Sequence, residues 1–209
     1  MDDKGNEKEI KIILLGDSGV GKTCIINRYL NDEYNPNSKT TLASNASSKV
    51  IKRDQVSYVL NLWDTTGQEK YHSITNLFIK GSNIVILVYS IDLLVSFKGL
   101  DYWYKSVTEK SGGNKYVLAV VGSKSDLIKN EEEEVSEEEA KKFAEEKNAI
   151  FKLVSSKEDH DGINNLFDTL LDELIKKNYL NENENENKNY IITRKNLVNK
   201  EKAKKKIRC

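Results

Sequence analysis

Short apolar runs alternate with polar, loop-forming stretches along this chain, and the periods of those runs predict its elements. Residues 9–15 are apolar and β-branched and predict a buried strand. Residues 24–30 can continue as a helix. Residues 31–45 are polar and hold the only proline, Pro36, so they read as a long loop; a loop of that length is more often functional than inert. Residues 46–51 and 56–63 flank Lys52-Arg53-Asp54-Gln55 as a hairpin. Residues 84–89 and 116–122 are two further buried strands. Between them, 93–110 has helical spacing, with Phe97, Leu100, Trp103, Tyr104 and Val107 as an apolar stripe that reads as core packing. Ser136-Glu137-Glu138-Glu139 is a capping box opening a helix through about residue 147. Residues 150–154 predict a last strand, and 163–177 an amphipathic helix. Strands alternating with helices predict an α/β fold: a mostly parallel six-stranded sheet with helices on both faces. Its binding loops lie at the C-terminal ends of the strands.

The chemistry begins where the first strand meets the first helix. Gly16-Asp17-Ser18-Gly19-Val20-Gly21-Lys22-Thr23 fits G-x-x-x-x-G-K-[ST], the phosphate-binding loop. Glycines let the backbone wrap a phosphate and turn several N–H groups inward, and the helix N-terminus favours an anion. Lys22 supplies a point charge for the β- and γ-phosphates, and the Thr23 hydroxyl a ligand for Mg²⁺. The bland alternative, a glycine turn that binds nothing, does not account for strand, Lys and Thr together. Further on, a strand ends in Asp64-Thr65-Thr66-Gly67-Gln68-Glu69. An Asp at that place offers a second Mg²⁺ contact, Gly67 an N–H for a γ-phosphate, and Gln68 a group that orients an attacking water. Alone, the same residues would read as a turn with a helix-capping Asp.

Composition changes this picture mainly at the ends. The 209 residues suit one ordinary domain plus extensions. No apolar run is long enough to span a bilayer. The first eight residues are polar, with no apolar signal region and no Gly after Met1, so neither secretion nor N-myristoylation is expected. Two cysteines, Cys24 and Cys209, make no disulfide framework and suit a reducing compartment. The net charge is zero, yet residues 188–209 hold nine Lys/Arg and one Glu; this +8 segment leaves −8 on the rest. Residues 181–187 alternate Asn and Glu and cannot bury a core. The expected layout is a flexible N-terminus over 1–8, one domain over 9–178, and a disordered basic tail over 179–209. Glu131 to Glu134 and Glu137 to Glu139 read as a solvated face.

Taken together, Gly16 to Thr23, Thr41, Asp64 to Gln68, Ser123-Lys124-Ser125-Asp126 and Ser155-Ser156-Lys157 resemble the guanine-nucleotide motifs of Ras-type small GTPases, five motifs in order over about residues 8–177. Val59-Leu60-Asn61-Leu62-Trp63, Lys70-Tyr71-His72-Ser73-Ile74-Thr75 and Leu87-Val88-Tyr89-Ser90-Ile91 are similar to Rab segments. The Tyr-His-Ser wording and Thr41-Leu42-Ala43-Ser44 lean towards endosomal Rabs. The resemblance implies a single P-loop NTPase G domain that binds GTP or GDP with Mg²⁺. Ser18, Gly19, Val20, Gly21, Lys22 and Thr23 would cradle the phosphates, with Cys24 beside the α-phosphate and Tyr34 stacked near the guanine. Thr23, Thr41 and Asp64 would serve the metal, Thr41 only in the GTP state. Gly67 would sense the γ-phosphate and Gln68 would be the catalytic residue. Asp126 would take the guanine N–H donors, Lys124 would pack over the base, and Ser123, Ser155, Ser156 and Lys157 would complete the base site. Hydrolysis would be slow, helped by an activating partner that adds an arginine. Exchange factors, activating proteins and effectors would meet residues 31–45 and 66–80, the loops that a γ-phosphate holds ordered.

Four positions depart from that family's pattern. Thr66 stands where alanine is usual; its stiff β-branch and hydroxyl predict impaired hydrolysis or phosphate transfer onto Thr66. Ser123 replaces the usual asparagine, and its short hydroxyl is expected not to bridge base and phosphate loop together, so affinity should drop while Asp126 keeps guanine preferred. Ala46 replaces a phenylalanine that would complete an aromatic patch with Trp63 and Phe78. The chain ends in a single Cys209 where two cysteines are usual. Linker, basic run and Cys209 together read as a prenylated membrane tether, which would place the protein reversibly on the cytosolic face of an endomembrane; a soluble tail with an incidental Cys is the alternative. Three functions follow: a switch in vesicle traffic, a GTP-binding scaffold that hydrolyses poorly, and a P-loop kinase, which fits badly because no acceptor-binding lid is evident. The tail lacks the interleaved aromatics of a nucleic-acid binder.

Overall fold

The computed structural model describes residues 7–36, 41, 45–66, 78–130 and 132–181. Six strands form one sheet: β1 (Glu7–Leu15), β2 (Asn45–Arg53), β3 (Val56–Asp64), β4 (Ile84–Ser90), β5 (Val117–Ser123) and β6 (Ile150–Val154). The helices are α1 (Lys22–Asn31), α2 (Leu94–Lys98), α3 (Leu100–Lys110), α4 (Glu137–Glu146) and α5 (His160–Lys176), with a 3-10 turn over Ser125–Asn130. The strand order is β2-β3-β1-β4-β5-β6. Only the β2–β3 hairpin is antiparallel; β1 runs parallel to β3 and β4, and β5 parallel to β4 and β6.

Both faces of the sheet are buried, which is why the central strands read as unbroken apolar runs. Along β1 the side chains divide by parity. Ile10, Ile12 and Leu14 join α1 and α5 through Ile25, Tyr29, Phe167 and Leu170. Ile13 and Leu15 join α2, α3 and α4 through Phe97, Trp103, Val107 and Ala144. The edge strand β2 is fastened by two cations. Lys49 Nζ donates to the Tyr29 carbonyl at 2.6 Å and lies 3.9 Å from the Tyr29 ring centroid, and that ring stacks on Phe167. Arg53 pairs with Asp168 of α5. These contacts hold the hairpin that leads into Asp64.

The apolar stripe of 93–110 packs as expected, but the segment is two helices rather than one. It divides at Gly99, where an added β-carbon would lie 2.7 Å from the Asp17 carboxylate. Glycine is both a weak helix former and small enough for that approach. The Ser136 hydroxyl accepts from Glu139 N at 3.2 Å, as a capping box requires. Helix α5 starts at His160, three residues before the apolar periodicity, because the Asp159 side chain caps it through Gly162 N. Strand β1 begins at Glu7, and Leu180 is buried in the core. Of the supposed solvated glutamates, Glu134 has a structural task, since its carboxylate accepts from Leu94 N at 2.7 Å at the start of α2. Glu131 lies outside the described residues.

Leu170 is fully buried between α5 and the sheet. Leu170→Ala should cost about 2–5 kcal/mol, read as a lower midpoint in urea unfolding of the nucleotide-saturated protein; a midpoint unchanged from wild type would mean that this face is not the core.

Candidate functional site

Segments following the C-terminal ends of β1, β3, β5 and β6 line one cleft of about 600 Å³. Its phosphate-loop end is built on backbone geometry. Gly16 has φ 149°, and a β-carbon there would sit 2.1 Å from the Val88 carbonyl oxygen, so only glycine lets the loop cross β4 this closely. Gly21 has φ 94° and opens α1 from the left-handed region. Ser18, Gly19, Gly21, Lys22, Thr23 and Cys24 line the cleft. Val20 does not: its side chain is buried in the core and anchors the loop.

Lys22 is the loop's charge. Its Nζ donates to the carbonyls of Gly16 and Asp17, each at 2.8 Å, and its side chain is buried. Burial lowers its pKa to about 8, partly offset by the negative charges of Asp64 and Asp17. A desolvated cation at a helix N-terminus is suited to meet phosphate. Asp17 has a partner that the sequence did not announce. Trp103 Nε1 donates to Asp17 Oδ1 at 3.0 Å, so the buried indole of α3 steadies the loop. Reading Trp103 as core was right for its ring and incomplete for its N–H.

Three oxygens meet at the other side of Lys22. Thr23 Oγ1 donates to Asp64 Oδ2 at 2.7 Å, Thr41 Oγ1 donates to the same oxygen at 3.3 Å, and the two hydroxyls lie 2.8 Å apart. Burial pushes the Asp64 carboxyl above its ordinary pKa, against the Thr23 hydrogen bond and the Lys22 charge. Its Oδ1 is buried with no hydrogen-bond partner among the described residues. One carboxylate and two hydroxyls are hard oxygen ligands that leave most positions to water and phosphate, which suits Mg²⁺. Thr65 Oγ1 donates to the Leu14 carbonyl at 2.6 Å and pins this turn to β1, while Thr66 is buried. Gly67 and Gln68 lie outside the described residues, as does Cys209.

The other end of the cleft is held by loops after β5 and β6. Asp126 Oδ1 accepts from Ser155 Oγ at 2.6 Å, and Ser155 Oγ in turn accepts from the backbone N–H groups of Lys157 and Glu158. Ser155 thus orients Asp126 rather than lining the cleft. Asp126, Ser156 and Lys157 do line it, as do Lys124 and Tyr34. Lys124 has left-handed φ 62°, and its Nζ lies 3.3 Å from both carboxylate oxygens of Asp92. Ser123 at the end of β5 is tied on two sides. Its hydroxyl is buried and within donating distance of two carbonyls, Val20 at 2.6 Å and Tyr89 at 2.9 Å. The hydroxyl thus ties the end of β5 to the phosphate loop at Val20. A second link was not foreseen. Arg28 of α1 donates from Nε to the Ser156 carbonyl at 2.7 Å and from a terminal nitrogen to the Lys157 carbonyl at 3.3 Å. No local pattern in the sequence marks it, since the partners are 128 and 129 positions away.

Residues 11–176 match the family model described as Ras family. The chain is 37% identical over 189 residues to the Ras-related protein Rab-11B of Dictyostelium discoideum, covering 87% of this chain and 84% of that one. It is 35% identical to mouse Rab-17, over 80% of this chain and 76% of the relative, and 34% identical to SEC4 of Saccharomyces cerevisiae, over 80% and 75%. The chain belongs to the Rab branch of the Ras-family small GTPases. It is a GTP-binding and GTP-hydrolysing switch that regulates vesicle traffic, using GTP or GDP with Mg²⁺, and its partners are exchange factors, activating proteins and effectors. Rab proteins act on the cytosolic face of endomembranes. Among the described residues, no helix of this Rab chain is long and apolar enough to cross a membrane.

Removing the Ser123 hydroxyl would leave the Val20 carbonyl without its bond to β5. Ser123→Ala in this Rab should cost about 1–3 kcal/mol of nucleotide-bound stability and speed GDP release, measured by exchange against a fluorescent GDP; release at the wild-type rate would show that the serine link is dispensable.

Proposed function

We propose that this Rab-family switch works through the residues that converge in the cleft, and that its own sequence slows its hydrolysis. The observation that carries the residue roles is the meeting of Thr23 Oγ1, Thr41 Oγ1 and Asp64 Oδ2 beside the buried Lys22, at the far end of the same cleft as Asp126. In this reading Ser18, Gly19, Gly21 and Lys22 bind the phosphates, with Val20 as the loop's anchor and Cys24 beside the α-phosphate. Thr23, Thr41 and Asp64 hold Mg²⁺, which when bound neutralises charge between the β- and γ-phosphates. Asp126 takes the guanine N–H donors, oriented by Ser155. Lys124 and Tyr34 flank the base, and Ser156 and Lys157 close its edge. Gly67 senses the γ-phosphate and Gln68 orients the attacking water. Thr41 belongs to the loop that only the GTP state holds ordered, so loss of the γ-phosphate releases it.

Thr66 precedes Gly67 and is buried, with a β-branched side chain where the backbone must bring an N–H to the phosphate. We infer slow intrinsic hydrolysis from this. The hydrolysis-poor scaffold is the limit of the same effect. The 9–178 domain carries the switch, and the basic tail with Cys209 tethers it to an anionic, endosomal membrane surface through one lipid chain and its Lys/Arg run. Ala46 pairs across the hairpin with Trp63, which packs against Phe78 at 5.0 Å between ring centroids, so the aromatic surface offered to effectors is smaller here.

Single-turnover phosphate release from the Mg²⁺–GTP complex tests the catalytic reading. Gln68→Leu should abolish release, and Thr66→Ala should raise its rate about tenfold or more, equivalent to about 1.4 kcal/mol of barrier; an unchanged rate in Thr66→Ala removes the case for impairment. Intact-mass analysis of protein from its native cell tests the tether. A mass increment of one prenyl group on the C-terminal peptide is expected, and an unmodified Cys209 would rule the lipid out.

A further inference from the structure

One side chain touches both the base loop and the start of the switch loop. Arg28 lies on α1, whose N-terminus carries the phosphate loop, and its side chain is only 14% exposed. Its guanidinium is divided between two sets of acceptors. Nε and one terminal nitrogen reach the Ser156 and Lys157 carbonyls at 2.7 and 3.3 Å. The other terminal nitrogen donates to Asp32, at 2.9 Å to the carbonyl oxygen and 2.8 Å to Oδ1. Asp32 is the left-handed C-cap of α1, φ 56°, and the chain leaves from it into the loop that ends at Thr41 and β2. His160, the first residue of α5, holds the same Asp32 Oδ1 through Nδ1.

The base loop that Arg28 grips also orients Asp126, because Ser155 Oγ donates to Asp126 Oδ1 and is itself set by the N–H groups of Lys157 and Glu158. The planar guanidinium has its donors in a fixed fork, so they are shared only while all the acceptors hold their places. We propose that Arg28 is a positioning residue for guanine recognition and that it couples displacement of the chain at Asp32 to release of the base. Displacing the loop at Asp32 takes away the acceptors that aim the guanidinium; its hold on Ser156 and Lys157 then weakens, and Asp126 loses its fixed orientation. A partner that pulls on the switch loop thereby loosens the guanine end of the cleft without touching it. The inference rests on the reading of Asp126 as the guanine acceptor.

The test uses the full chain loaded with Mg²⁺–GDP or Mg²⁺–IDP; the inosine base lacks the 2-amino donor that Asp126 would receive. Dissociation rates are measured by displacement with excess fluorescent GDP. Arg28→Met keeps the apolar stem and removes every donor. It should speed GDP release about tenfold, as expected for lost charge-assisted hydrogen bonds, and IDP release less, so the preference for GDP over IDP shrinks. A residue that merely supports the fold would lower the melting temperature and leave that preference at its wild-type value, which would overturn the proposal. Should Arg28→Met not fold, Arg28→Lys, one ammonium nitrogen without the fork, reads the same ratio. Asp32→Ala should also speed GDP release, and should add nothing in the Arg28→Met background; full additivity would overturn the coupling. Asp126→Asn separates the two layers. If it removes the preference while Arg28→Met retains it, the positioning role falls and the site reading stands. If both variants retain the preference, the site reading falls and this inference falls with it.

Discussion

The backbone of the phosphate loop crosses β4 at a distance that excludes a β-carbon, and the nucleotide site depends on that crossing. A side chain at Gly16 would occupy the Val88 carbonyl. The loop's carbonyls at Gly16 and Asp17 face Lys22, which holds its ammonium at the mouth of the loop. The same crossing brings Asp17 against Gly99 and the Trp103 indole, so the α2–α3 side of the sheet supports the loop from behind. On the other side, Val20 enters the core with α1 and α5. The loop is thus fixed from both layers while its rim stays open.

The cleft holds its charges at different degrees of desolvation. Lys22 is buried enough for its pKa to fall to about 8, and Asp64 enough for its carboxyl to rise. Both shifts arise first from burial, the state in which a charged ligand of opposite sign gains most. Asp64 Oδ1, buried and without a partner among the described residues, gives the same indication from geometry. At the base end the carboxylate is handled differently. Asp126 is held in place by a hydroxyl, and that hydroxyl by two backbone N–H groups. Directional hydrogen bonding there suits recognition of an edge, while poorly solvated charge suits the phosphates.

Much of this was legible in the chain. The strands are short and continuous, the loop motif follows β1 directly, and Asp64 closes an apolar strand, so the fold class, and which residues stand at the strand ends around the cleft, could be read from local pattern. Boundaries slipped where side chains act at a distance: Asp159 starts α5 three residues before the apolar period, and Gly99 divides a helix whose stripe runs straight through it. Glu134 could not be told from its exposed neighbours, because its partner is Leu94 N on another element.

What the sequence determined by itself is the set of groups that must be local to work: the glycines with positive φ, the Lys-Thr pair at a helix start, the Asp at a strand end, the Asp126 loop. Each depends on neighbours within a few positions, and backbone conformation carries that information. Tertiary structure alone decided which distant groups hold them. Ser123 reaching Val20, Trp103 reaching Asp17 and Arg28 reaching Ser156 span 103, 86 and 128 positions. Such pairs form because parallel strands bring their C-terminal ends, and the loops beyond them, to one edge of the sheet. Where the donor meets a backbone carbonyl, as Ser123 and Arg28 do, no residue pattern marks either end, since every residue supplies that carbonyl.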